Sequence, residues 1–315
     1  MSLNIYQKTA IAALGTTVFL IFVGGMVRLS GAGLGCPDWP RCFGSWIPPG
    51  SAATLPARFD ASQFNLFKMW TEYVNRLTGI TTGLLILATA VMSFRYRKRE
   101  PAVFYSSIFA LGLVLIEGWQ GGQVVHSQLK EWQITTHMIL ALVIMLALIY
   151  AIFKTKENQW SISFKNKRTH RWISWISLGL FAVTLVQIIL GTQVRASVDG
   201  IAQPGGSWLS GMGAMIEIHR SFSWAIFLPG IALSYLAWQK AHSGFLQKIT
   251  AGLVIIIILQ IMLGAGLYYI SLSPAFEVLH ILGAALMLGL EFSIILVVGI
   301  FPRDAKYGTY GMNPG

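Results

Sequence analysis

Residues 249–270 read ITAGLVIIIILQIMLGAGLYYI, without one Asp, Glu, Lys, Arg or His. A helix rises 1.5 Å per residue, so about 20 apolar residues cross the roughly 30 Å hydrocarbon core of a bilayer. Seven further stretches have this character, at 10–27, 69–92, 102–125, 134–153, 173–194, 213–238 and 277–300. Hydrophobic residues make up 55% of the 315 positions and charged ones 11%, with mean hydropathy +0.63. A soluble domain usually carries about 25% charged residues. The fold class expected is therefore an all-α membrane protein with eight transmembrane helices.

The first apolar run continues into Gly24-Gly25-Met26-Val27-Arg28 with no small-residue cleavage site, so it reads as a retained span and not as a signal peptide. The net charge of +11 is organised by the spans. Lys8, the Arg95–Arg99 cluster, the run from Lys154 to Arg171, Lys240, Lys248, Arg303 and Lys306 fall on one side. Arg28, Arg41, Arg58, Lys68, Lys130 and Arg195 fall on the other, and Arg76 and Arg220 lie within spans. By the positive-inside rule both termini are expected in the cytoplasm, and the basic charge is topological, with no nucleic-acid partner implied. Cys36 and Cys42 fall in the first outer loop, in a compartment where a disulfide can persist. The alternative is a thiol pair that takes part in turnover.

The two halves echo each other. Span one ends Gly24-Gly25-Met26-Val27-Arg28-Leu29-Ser30 and span five ends Gly191-Thr192-Gln193-Val194-Arg195-Ala196-Ser197. Asn75-Arg76 in span two aligns with His219-Arg220 in span six, and His137 aligns with His280, at spacings of 62 and 61 residues. Gln120 in span three and Gln260 in span seven are a weaker echo. An internal duplication follows. The organisation expected is an N-terminal four-helix bundle at 1–153, a cytoplasmic linker at 154–172 and a C-terminal four-helix bundle at 173–315, related by a pseudo-twofold axis along the membrane normal.

His170 and His242 fall in inner loops, where a solvated role is the default, and His126 lies at the outer mouth of span three. His137, His219 and His280 share one depth near the outer ends of their spans. An ionisable group at membrane depth usually has a partner or a function, and two imidazoles facing each other suit the axial positions of a haem iron. His219 and His280 form such a pair. Arg28, Arg195, Arg76 and Arg220 recur beside these positions, where guanidinium groups pair with haem propionates or with lipid phosphate. Glu117 and Glu291 are two further carboxylates within spans, each a proton-relay candidate or a partner for polar neighbours.

Val27-Arg28-Leu29-Ser30-Gly31-Ala32-Gly33-Leu34-Gly35-Cys36-Pro37-Asp38-Trp39-Pro40-Arg41-Cys42 resembles the first outer loop of the haem A synthases, in the cysteine-pair bacterial type. Glu72-Tyr73-x-x-Arg76, Val124-Val125-His126-Ser127-Gln128-Leu129, His137, His219-Arg220 and His280 extend the likeness over nearly the whole chain. The resemblance implies an oxidoreductase of the bacterial inner membrane that oxidises a haem O methyl group to the formyl group of haem A by successive hydroxylations, for cytochrome oxidase assembly. It implies haem b held by His219 and His280 in the C-terminal half, and haem O or haem A as substrate or product in the N-terminal half.

The N-terminal site is expected to be formed by His137, Glu72 and Arg76, with Glu72 relaying protons. Here Asn75 stands where the family has a second histidine. An amide is a poor iron ligand compared with imidazole, so the substrate haem is expected on His137 alone, with one coordination position open. The partners expected are haem O, haem O synthase, an electron donor and membrane lipid, and a homo-oligomer is left open. Two rival readings are a dihaem b-type electron-transfer protein and a transporter with parallel repeats; Asn75 speaks against the first and the matched histidines against the second.

Overall fold

In a computed structural model of the chain the described residues are 3–156, 162–164, 166–201, 213–270 and 272–299. Among them eight helical segments are long and apolar enough to cross a membrane, and each falls on one of the eight stretches read from the sequence. Seven crossings are single helices: α1 (Ile5–Leu29), α2 (Leu66–Ser93), α3 (Pro101–His126), α4 (Glu131–Lys154), α5 (Lys167–Ile201), α8 (Gly244–Tyr269) and α9 (Pro274–Val298). The remaining crossing is two helices end to end, α6 (Gly213–Phe222) and α7 (Trp224–Lys240). A two-residue strand β1 (Ser163–Phe164) pairs antiparallel with β2 (Ala241–His242). Arg303, Lys306, Lys165 and residues 202–212 lie outside the described residues.

Leu84, Leu115 and Ile255 each present more than half of their surface outward. Such side chains need an apolar solvent, and a helix satisfies its own backbone in lipid. Threonines follow the same rule: Thr71, Thr78, Thr81 and Thr89 of α2 each return the hydroxyl to the carbonyl four residues back, at 2.7–3.0 Å.

The chain forms two compact units, residues 1–155 with 266–282, and 156–265 with 283–315. His280 therefore belongs to the first unit and His219 to the second. In the first unit α1 packs on α2 and α4, and α3 packs on α2 and α4, closing a ring of four helices. Small and branched residues, Ala13, Ile86, Ala110, Ile144 and Leu148, fill its centre. Asn4 opens α1 with a capping box: its side chain accepts from Gln7 N–H at 2.9 Å and its own N–H donates to Gln7 Oε1 at 3.1 Å. Gln7 Nε2 also donates to Thr155 Oγ1 at 3.0 Å, tying the start of α1 to the end of α4.

Helix ends show how the duplicated sequence diverges. Gly31 takes φ +61, and Ala32 N–H reaches back to Val27 O at 2.9 Å, a Schellman stop for α1. Val198 occupies the aligned position in α5. A β-branched residue does not take the left-handed conformation readily, and α5 runs on to Ile201. Arg195 thus lies inside the helix and not at its end, as the sequence had suggested.

In the second unit Phe164, Ile173 and Leu180 pack with Leu233, Leu253 and Ile294, so α5, α7, α8 and the later part of α9 share one core. His170, expected in a solvated loop, is only 4% exposed. Its Nε2 lies 3.0 Å from Val298 O, the last carbonyl of α9, which has no acceptor role left within its own helix. The ring caps α9.

Candidate functional site

The first outer loop is built on α2. Cys36 and Cys42 are joined by a disulfide. Cys42 and Ser45 exchange backbone hydrogen bonds at 3.0 and 3.2 Å around Phe43 and Gly44, both at positive φ. Phe43 bears that conformation because its ring is buried against Phe59 and Phe64 in a small core with Cys36, Cys42 and Met69. At Gly44 a Cβ would collide with Arg58 Nη2.

Glu72 and Arg76 fasten this loop from below. Glu72 is 3% exposed; its Oε2 accepts from Cys36 N–H at 2.8 Å, and its Oε1 is paired with Arg76 Nη2. Arg76 Nη1 donates to Asp38 O and Arg41 O, both at 2.8 Å, and Nη2 to Cys36 O at 3.2 Å. One carboxylate oxygen thus holds the Cys36 N–H and the other the Arg76 guanidinium, which in turn holds the carbonyls of Cys36, Asp38 and Arg41. Trp39 lies over α3, where a Cβ on Gly122 would stand 3.1 Å from its ring.

His137 faces α3 across the first bundle. Its Nδ1 is 3.2 Å from Glu117 Oε1, a close contact without hydrogen-bond alignment, and a Cβ placed on Gly121 would lie 3.5 Å from its Cε1. Just outward, Gln120 Nε2 donates to Gln133 Oε1, adding a second polar tie between α3 and α4. Asn75, on α2, has a buried Oδ1 that accepts no hydrogen bond. His280, near the start of α9, lies between Val278 and Ile281, whose side chains approach Gly25 of α1.

In the second unit His219 is seated in a similar way. A Cβ on Gly191 would lie 3.2 Å from His219 Cε1, and Gln187, one turn earlier on α5, donates its Nε2 to His219 O at 2.8 Å. That carbonyl would ordinarily accept from Ser223 N–H; Ser223 N–H bonds Arg220 O at 3.3 Å instead, and the helix divides there. Pro229 removes a further donor from α7. The sequence predicts one unbroken span, because neither a side chain from α5 nor its target carbonyl is visible in a hydropathy pattern. Arg220 Nη2 pairs with Glu217 Oε2 at 2.6 Å, with both side chains about half exposed. Arg28 in the last turn of α1 and Arg195 within α5 are both half-buried. Glu291, 1% exposed, accepts from Thr184 Oγ1 at 2.8 Å. An open groove of about 420 Å³ beside α6, lined by Ala214, Glu217, Ile218, Ser221, Phe222 and Ala225, contains none of the histidines.

The model of the cytochrome oxidase assembly protein family, COX15-CtaA, matches residues 7–292. The chain belongs to this family. It is 26% identical over 305 residues to a protein of Shewanella oneidensis named heme A synthase, covering 86% of this chain and 90% of the relative. It is 26% identical over 311 residues to the heme A synthase of Caulobacter vibrioides, covering 85% and 89%. With the heme A synthase of Bacillus licheniformis the identity is 23% over 324 residues, covering 95% of this chain and all of the relative.

The residues fit an iron porphyrin better than a bare metal ion. Among the described residues no three of His, Cys, Asp and Glu come together as a cage. A porphyrin brings its own equatorial nitrogens and needs only one or two axial side chains. Glu117 at Nδ1 leaves Nε2 of His137 as the nitrogen able to take a metal bond, the arrangement in which an outer carboxylate fixes a ligating ring. Gly24, aligned with Gly191, has no atom within 4 Å of a Cβ placed on it. His219 fills the space beside Gly191, whereas no described side chain fills the space beside Gly24.

Gln187 and Gln133 were not singled out from the sequence, and Gly121 stood out only beside Gln120 in the echo between spans three and seven. One signal was available: Glu117 and Gly121, like Gln187 and Gly191, stand four residues apart, a polar group and a gap on one helical face.

Proposed function

We propose that this chain converts haem O to haem A for cytochrome oxidase assembly. The reaction is two successive hydroxylations of one methyl carbon, each consuming dioxygen, two electrons and two protons and releasing water, followed by loss of water from the diol to leave the formyl group. The observation that carries the reading is the seating of His137 and His219, each with its ring against a glycine of a neighbouring helix and a polar side chain one turn away, in a chain matched by the family from residue 7 to 292.

Within it, His219 and His280 would hold haem b, which when bound would supply electrons to the reaction. His137 holds the substrate haem from one side and Asn75 leaves the other side open. Arg28, Arg195 and Arg220 offer guanidinium groups to propionates. Glu72 and Arg76 fix the disulfide loop, and Glu72 is the carboxylate assigned to proton relay. The two halves are tandem four-helix bundles, 1–153 and 173–315, in the bacterial inner membrane with both termini cytoplasmic, as the distribution of Lys and Arg favours. Haem O synthase is the expected source of substrate, and a separate donor supplies electrons.

The haem content of the purified protein tests the assignment. Haem b is expected in the unsubstituted protein and lost in His219→Ala and His280→Ala. Full haem b in either variant would remove that residue from the ligand set.

A further inference from the structure

Glu117 is 8% exposed in the middle of α3, and its one partner among the described residues is His137. A carboxylate at membrane depth is costly and needs a compensating role. Among the described residues no lysine or arginine is paired with it. Its Oε1 stands 3.2 Å from His137 Nδ1, and its Oε2 accepts no hydrogen bond. One turn further along α3, a Cβ on Gly121 would stand in ordinary van der Waals contact with His137 Cε1, at 3.5 Å, so the ring edge lies against the helix. Gln120 and Gln133 lock α3 to α4 immediately beside the pair. The contact sets a carboxylate oxygen against Nδ1 and leaves Nε2 on the side of the ring away from Glu117.

We infer that Glu117 is the positioning residue for His137, fixing the ring through Nδ1 so that Nε2 points to the iron of the substrate haem. This rests on the reading of His137 as an axial ligand. A carboxylate facing Nδ1–H makes an imidazole a stronger donor to iron. The effect is charge-dependent, which separates it from simple packing.

The test uses the full-length haem-loaded protein and reads the ferrous iron–histidine stretching band, in which a bis-histidine haem b is silent, together with the midpoint potential of the same haem. Glu117→Gln, close in volume, is expected to lower the band frequency and raise the potential. Glu117→Leu is expected to weaken haem retention at this site by roughly 10- to 100-fold, and Glu117→Asp to restore the band partly. A band lost in His137→Ala but unmoved by both Glu117→Gln and Glu117→Leu would overturn this inference alone. A band that persists in His137→Ala would overturn the ligand reading, and the inference with it.

Discussion

The backbone N–H of Cys36 donates to Glu72 Oε2 at 2.8 Å, so a buried carboxylate of α2 holds the first half of the disulfide. Its other oxygen is taken by Arg76. Glu72→Gln keeps the shape but offers one acceptor oxygen to two donors. The loop is expected to lose about 2 kcal/mol, the range for a hydrogen bond to a charged group. Faster proteolysis within residues 30–65 would report it. Haem A output is expected to fall as well; unchanged loop protection with lost activity would make Glu72 purely a chemical residue.

Gly35 presses against the start of α2. A Cβ there would collide with Lys68 O and stand 2.8 Å from Met69 N, backbone atoms that cannot turn aside. Gly35→Ala is expected to destabilise the first unit by roughly 1–3 kcal/mol, as overpacking does. Gly50→Ala, with nothing within 4 Å, is the control and should be near neutral. Thermal unfolding in detergent compares the two.

Gln187 Nε2 holds His219 O and thereby divides the sixth crossing. Gln187→Leu frees that carbonyl for Ser223 N–H. The variant is expected to lose about 1 kcal/mol and to show an altered haem b absorption spectrum, because the ring of His219 is carried by the turn that re-forms. A spectrum identical to the unsubstituted protein would mean that the break is not set by Gln187.

Asn75→His places an imidazole opposite His137. The high-spin signature of the substrate haem is expected to become low-spin, and added cyanide or imidazole should no longer bind there. Unchanged spectra would show that position 75 does not set coordination.

The eight crossings were legible in the sequence because hydropathy is a local property, and 249–270 needs no partner to be read. So was the disulfide pair, since both cysteines stand six positions apart in the one loop between the first two spans. The histidines stood out because they are costly at that depth. What they touch did not. Glu117 against His137, Gln187 on His219 O and Arg76 on Asp38 O are each set by which helix faces which, and no spacing within one span reveals that. His170 was misread for the same reason: its place beside Val298 depends on α5 meeting the end of α9.

The most direct test of the account is mass analysis of haem extracted from membranes that express this chain together with a haem O synthase, compared with the synthase alone. Haem A or its hydroxylated precursor is expected only when this chain is present. Unchanged haem O, from membranes whose purified protein still carries haem b, would contradict the synthase reading and leave a haem-binding electron carrier.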